Sequence, residues 1–300
     1  IGLYNSGWID QRHGFQRGFD LFRAHEELAE ADRHLHEALE ALDGEHPFFL
    51  FLHVFDVHCG PFTDGERSLY PSPSKYERMF LDPGAAPLPE RPAEELWESH
   101  ESVDAAELRT LTATYDGGIR QVDDQLALWF AELERRGLAQ GALILVTSDH
   151  GEALGQRGRL DGHGEYWDGG LHIPLIVRHP AGLRAGTRVS QPVHLGDLVP
   201  TILATCGLPA DPRLPGRSLF DPLPEGRVIY GLRLPEAFVL RWPEKIVVGP
   251  KGWSIATNLA RDPEELAPEV GDRELFQELR AEALAAGGTF PRALKIDALP

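Results

Sequence analysis

Two uninterrupted apolar runs with one long amphipathic segment between them constrain this chain more than any other feature. Pro47 opens the run Phe48-Phe49-Leu50-Phe51-Leu52-His53-Val54-Phe55, and Ala142-Leu143-Ile144-Leu145-Val146-Thr147 forms the second. Strands without polar alternation expect cover on both faces, as in a parallel sheet. Between the runs, Leu108, Leu111, Tyr115, Ile119, Val122, Leu126, Phe130 and Leu133 step by three and four. That spacing predicts a helix over 105–136, and Gly137 supplies its stop. Strand, long helix and strand in succession predict a βαβ unit, hence an α/β fold with a mainly parallel sheet flanked by helices.

The flanking segments are read around that unit. Leu28, Leu35, Leu39 and Leu42 predict a helix over 26–42, and Ile173–Val177 a third strand. Leu198–Cys206 reads as a short helix with Asp197 as N-cap and Gly207 as stop. Residues 1–25 read as loops, and 59–100 as a long loop with one short helix. From about Pro222 the pattern shifts to short, turn-separated strands at 228–232, 238–242, 245–248 and 253–256, followed by a helix over 273–286. The expected organisation is therefore an α/β domain over 1–221 and a small C-terminal α+β subdomain with an antiparallel sheet over 222–300.

Charge narrows the partners. The net charge of −18 in 300 residues repels phosphate backbones and anionic lipid, so neither nucleic acid nor a membrane surface is an expected partner. It also repels an anionic substrate, which would need a locally positive site such as a bound divalent cation. Cys59 and Cys206 are the two cysteines, too few for a disulfide framework. No apolar stretch approaches the roughly 20 residues of a membrane span. The chain starts at Ile1 rather than Met, and we read that start as a cut, which leaves localisation undetermined.

Three segments carry chemistry. Thr147-Ser148-Asp149-His150-Gly151-Glu152 follows a buried strand directly. Ligands of parallel sheets bind beyond the carboxyl ends of strands, and Asp and His both ligate divalent cations. The plain alternative is an Asp-led turn with an incidental histidine. His58 follows the first apolar run in His53-Val54-Phe55-Asp56-Val57-His58, where capping or support of neighbours is the competing role. His163 lies between glycines in Gly162-His163-Gly164-Glu165, which suits either close approach to a ligand or an ordinary surface loop.

Taken together, these segments resemble the sulfatase family of the alkaline phosphatase superfamily. Tyr115–Asp124 is similar to the family's long helix, and Ser148–Glu152 to its metal-binding strand end. His163-Gly164 ahead of Ile173-Pro174-Leu175-Ile176 is similar to the loop and strand that follow. Gly14-Phe15-Gln16-Arg17-Gly18-Phe19-Asp20 resembles its G-F-x-x-G-F-D segment, and Asn258–Glu265 its L-x-x-D-P-x-E segment. The resemblance implies an alkaline phosphatase-like sheet and a metal-dependent sulfuric ester hydrolase. It implies Asp149 and His150 as metal ligands, and His58 and His163 as groups that contact the sulfuryl oxygens or serve the leaving group. The cofactor implied is one divalent ion, calcium first, with magnesium and manganese as alternatives. The partner implied is a small-molecule or saccharide sulfate ester; the oligomeric state is not implied.

The chain departs from the family's pattern in lacking its upstream Asp-Asp pair and its Cys/Ser-x-Pro-x-Arg nucleophile, which matures to formylglycine. Cys59-Gly60-Pro61-Phe62-Thr63 is similar in outline. However, Thr63 stands in place of the arginine and Cys59 sits inside the His58 segment. No nucleophile is therefore assigned in this chain, which is expected to be the C-terminal two-thirds of the domain and inactive alone. The competing readings are a phosphodiesterase or phosphonate monoester hydrolase of the same superfamily and, in another class, a non-catalytic binding module. Retention of Asp149, His150, His58 and His163 argues against the last.

Overall fold

The structure is a computed structural model that describes residues 1–5, 9–59, 69–70, 72–85, 103–156, 166–233, 236–249 and 253–285. It divides into two compact units, Ile1–Gln140 and Gly141–Pro300.

In the first unit, β1 (Gly2–Asn5), β2 (Phe22–His25) and β3 (Phe51–His53) form a parallel sheet in the order β2-β1-β3. Two of these strands fall in residues 1–25, where loops were expected. Four-residue strands are too short to show a period. Phe22-Arg23-Ala24-His25 is also polar at every second position, with Arg23 paired to Glu37 at 2.6 Å. Helix α1 (Leu28–Glu40) buries Leu28, Ala31, Leu35 and Leu39 in one core with Leu3 of β1. A short helix α2 (Ser74–Glu77) precedes the long helix α3 (Ala105–Arg135). The Asp104 side chain accepts from the Ala106 and Glu107 amides, and Glu107 reaches back to the Asp104 amide, a capping box that starts α3 where its apolar period begins. Trp129 and Gln125 of α3 both donate to Asp32 of α1, at 2.8 and 2.9 Å. Their bonds satisfy a carboxylate beside the shared core. Gly117 of α3 lets α2 approach, because a Cβ there would sit 2.4 Å from the Tyr76 carbonyl oxygen.

In the second unit, β4 (Ile144–Thr147) pairs antiparallel with β5 (Leu175–Arg178), from Ile144 opposite Arg178 to Thr147 opposite Leu175. The sequence placed the β4 run in a parallel βαβ unit with the β3 run; the structure instead sets β3 and β4 in different sheets. The chain returns beyond the end of β4 through a single-turn helix, α4 (Asp168–Leu171), so β5 starts where β4 stops and runs back along it. Ile176 is 65% exposed, and the apolar run of β5 is not covered on both sides.

Helix α5 (Leu198–Thr205) ends at Gly207, which takes φ +66°. Asp197 precedes the helix without capping it. Its fully buried carboxylate is instead forked by Arg227, at 2.6 and 2.8 Å, and accepts the His194 and Arg217 amides. Strands β6 (Val228–Arg233), β7 (Glu236–Arg241), β8 (Glu244–Val248), β9 (Ser254–Asn258) and β10 (Glu269–Val270) form an antiparallel sheet in the order β10-β9-β8-β7-β6. Four of the five lie where the short, turn-separated segments were expected. The two residues of β10 carry no periodic signal. Helix α6 (Arg273–Ala285) seats Phe276 and Leu279 against Ala237, Val239, Ile246 and Val248. The chain is thus α/β, with a parallel sheet, flanking helices and a small antiparallel sheet. No helix among the described residues is long and apolar enough to cross a membrane.

The Arg227–Asp197 fork yields a stability prediction. Removing one member of a buried ion pair strands the other charge, at about 3–5 kcal/mol. Arg227→Met should lower unfolding free energy in urea by that order, and adding Asp197→Asn should recover part of the loss. A loss below about 1 kcal/mol, the range of exposed pairs, would contradict this account.

Candidate active site

The end of β4 delivers Asp149 and His150 together. Thr147 closes the strand by donating its hydroxyl to the Pro174 carbonyl at 2.8 Å. The Asp149 side chain is 72% exposed and that of His150 28%. His150 Nδ1 lies 2.8 Å from the Gly151 carbonyl oxygen. A carbonyl only accepts, so Nδ1 carries the hydrogen and, in the neutral ring, Nε2 holds the lone pair. That Nε2 is 3.9 Å from Asp149 Oδ1. A cation bonded at about 2.0–2.6 Å to each atom can span this separation. A backbone carbonyl fixing the far nitrogen is also the usual support of a ligating histidine. Among the described residues, no group of three or more His, Cys, Asp or Glu converges to hold a metal.

The turn after His150 is held by backbone contacts. The Gly151 amide donates to the Gly170 carbonyl at 2.8 Å, and a Cβ on Gly151 would lie 2.1 Å from the Gly169 carbonyl oxygen. Gly169 donates to Gln156 Oε1 at 2.9 Å. Asp168, the first residue of α4, accepts from Lys245 at 2.9 Å and donates its amide to Glu265 Oε2 at 2.6 Å. Lys245 and Glu265, both buried, are paired at 2.5 Å. Burial pushes the Glu265 carboxyl up, and the Lys245 ammonium pulls against that rise. The sequence hinted at these residues through a lysine opening an apolar strand and the glutamate that ends the D-P-x-E segment. Neither signal pointed to residues 168–170.

His58 lies in the first unit, just past β3. Its ring stacks on Phe55, with centroids 3.9 Å apart and planes 15° apart. Its Nδ1 is 2.5 Å from the Cys59 carbonyl oxygen, so it takes the same tautomer as His150. Cys59 is buried. His163 lies outside the described residues. The structure therefore brings Asp149 and His150 side by side and places His58 at the carboxyl edge of the parallel sheet. That edge holds polar residues that sequence patterning missed. Asn5 donates to the Glu26 carbonyl at 3.0 Å, and His25 Nε2 lies 2.9 Å from the His53 carbonyl. Asp56 follows β3, and its Oδ2 is buried. Burial raises the Asp56 carboxyl to about 6.

A carboxyl raised in the folded state favours folding below its unfolded pKa, near 3.9, and that contribution disappears as pH rises through 6. Asp56→Asn removes the titration at nearly unchanged side-chain volume. Its stability relative to the parent should therefore improve between pH 4 and pH 7, by on the order of 2–3 kcal/mol. Denaturation at the two pH values measures this, and a difference that does not change with pH would contradict it.

Comparison with known proteins adds the family. The sulfatase family model matches residues 1–208. Steryl-sulfatase of Mus musculus is 36% identical over 125 residues, covering 37% of this chain and 20% of that protein. The multifunctional alkaline phosphatase superfamily protein PehA of Trinickia caryophylli is 31% identical over 206 residues, covering 63% of this chain and 40% of its own. The phosphonate monoester hydrolase of Agrobacterium radiobacter superposes with a TM-score of 0.64 at 23% identity, covering 85% of this chain and 60% of the other, a likeness of fold. The matched region thus spans less than half of these curated relatives. The family model covers well over half of the present sequence, and the chain belongs to the sulfatase family.

Proposed function

We propose that this chain supplies the metal-binding strand end and the leaving-group histidines of a divalent-metal-dependent hydrolase of sulfuric esters. The single observation behind the reading is the Asp149–His150 pair: a carboxylate oxygen and an imidazole Nε2 side by side, with the other ring nitrogen tied to a backbone carbonyl. The carboxylate suits calcium, magnesium or manganese, whereas the imidazole nitrogen is a donor more typical of transition metals; calcium is our first choice on the family resemblance, with magnesium and manganese as alternatives. Bound there, the ion would supply the positive charge that polarises the ester oxygens. In a chain of net charge −18, that local charge also offsets repulsion of an anionic substrate.

The remaining roles belong to side chains. The hydrogen bond from His58 Nδ1 to the Cys59 carbonyl makes Nε2 the working atom of that ring. Protonated, it can hold a sulfuryl oxygen or give its proton to the departing alcohol. His163 is assigned the same pair of roles, and which histidine is the acid is left open. We assign no nucleophile within residues 1–300. The catalytic part is taken as 1–221 and the C-terminal subdomain as 222–300, on an alkaline phosphatase-like plan. The substrate is a small-molecule or saccharide sulfate. The 206-residue match to PehA keeps a phosphodiester or phosphonate monoester as the second reading, because tetrahedral oxyanions of sulfur and phosphorus make similar demands.

Calorimetric titration with calcium and manganese, followed by aryl sulfate and aryl phosphate assays, tests the proposal. The chain should bind one ion weakly, Asp149→Ala should weaken binding at least tenfold, and residues 1–300 alone should turn over neither ester. Ion binding indifferent to Asp149 would sink the metal assignment. Turnover abolished by Asp149→Ala would show the chain to be catalytically complete, and turnover lost on Cys59→Ala would make Cys59 the nucleophile.

A further inference from the structure

Lys245 is the second residue of β8 and is 1% exposed, yet the proposed chemistry makes no use of it. Its ammonium donates to the Tyr166 carbonyl at 3.0 Å and to Asp168 Oδ1 at 2.9 Å, and pairs with Glu265 Oε1 at 2.5 Å. The other Glu265 oxygen accepts the Asp168 amide at 2.6 Å. Lys245, Asp168 and Glu265 therefore form a closed cycle in which each member contacts the other two. Glu265 holds φ +52°, a left-handed conformation that costs a glutamate on the order of 1 kcal/mol; the Asp168 amide on Oε2 and the ion pair of Oε1 with Lys245 hold it there.

A second bridge runs parallel to the first. Gln156 Nε2 donates to the Glu264 carbonyl at 3.1 Å, while its Oε1 accepts the Gly169 amide at 2.9 Å. Both bridges join the turn at 264–265 to residues 168–169. The next contact along the chain is with the strand end. The Gly170 carbonyl takes the Gly151 amide at 2.8 Å, and the Gly169 carbonyl fills the space where a Cβ of residue 151 would be. Gly151 in turn offers the carbonyl that orients His150.

We propose that the Lys245–Asp168–Glu265 cycle, with Gln156, positions the Asp149–His150 pair. The C-terminal sheet, through β8 and the turn after β9, thereby sets the geometry of the ion site. The inference rests on the reading of Asp149 and His150 as metal ligands. These are positioning residues, acting through α4 and Gly151 rather than touching an ion or a substrate. The arrangement also accounts for a buried cation in the C-terminal sheet. Apolar residues of similar volume could replace an ion cluster at little loss of stability, but would leave the Asp168 amide and the Tyr166 carbonyl without these partners.

The test reads the turn itself, independently of turnover. Amide hydrogen exchange is compared at Gly151 and in β7 for the parent, Glu265→Gln, Asp168→Asn and Val239→Ala. Val239→Ala destabilises the same sheet from its core without touching the cycle. Manganese affinity is measured on the same proteins by electron paramagnetic resonance. Glu265→Gln should speed exchange at Gly151 at least tenfold more than in β7 and weaken manganese binding at least threefold. Val239→Ala should change β7 and Gly151 together and leave manganese affinity within twofold at temperatures where it is folded. Should Glu265→Gln fail to fold, Asp168→Asn carries the same expectations, because its backbone amide still reaches Glu265. Gly151 exchange that merely tracks β7, or affinity that falls equally in Val239→Ala, overturns the inference. Manganese binding lost in Asp149→Ala but untouched in the cycle variants overturns the positioning role alone. Binding that survives Asp149→Ala overturns the metal reading beneath it.

Discussion

A side chain at residue 151 would collide with the Gly169 carbonyl at 2.1 Å, and much of the second unit is arranged around that contact. The collision requires glycine after His150. It also requires α4 to present its carbonyls toward the end of β4. The Gly170 carbonyl takes up the Gly151 amide, so the chain leaves the strand in one direction just after Asp149 and His150. An amide and a carbonyl buried this closely must satisfy each other or lose on the order of 1–3 kcal/mol. The turn is thus specified by backbone pairing before any ion is considered.

Electrostatics in this chain are local. Acidic residues outnumber basic ones, 47 to 29, and the buried carboxylates of Asp197 and Glu265 are each matched by a cation. Asp197 is forked by Arg227 and receives two backbone amides. Glu265 meets Lys245 and one amide. The Asp56 carboxyl rises to about 6 under burial. Asp149 differs from all three. It stands exposed at a strand end beside an imidazole. That is the environment in which a carboxylate is available to a cation.

The sequence made elements legible where a period ran long enough. The 31 residues of α3 and the short, turn-separated strands of the C-terminal sheet stand close to their expected bounds. β1 and β2 were hidden by their four-residue length. The antiparallel pairing of β4 with β5 was hidden because an apolar run reports burial, not strand direction. Asp197 was read as a cap because Asp before an apolar helix usually caps it. The partner that claims it, Arg227, lies 30 residues away, beyond any local rule. In the candidate site, Asp149 and His150 were legible because motif and strand end coincide. The Lys245–Asp168–Glu265 cycle was not, since its members are spread over nearly a hundred positions and meet only in three dimensions.

The central claim is that Asp149 and the Nε2 of His150 hold one divalent cation. Crystals grown with manganese and measured at its absorption edge test this directly. The account predicts an anomalous peak within coordination distance, about 2.0–2.3 Å, of an Asp149 carboxylate oxygen and His150 Nε2, with Nδ1 still bonded to the Gly151 carbonyl. A peak bonded to His150 Nδ1, or manganese ordered elsewhere while the Asp149–His150 pair carries none, would contradict it.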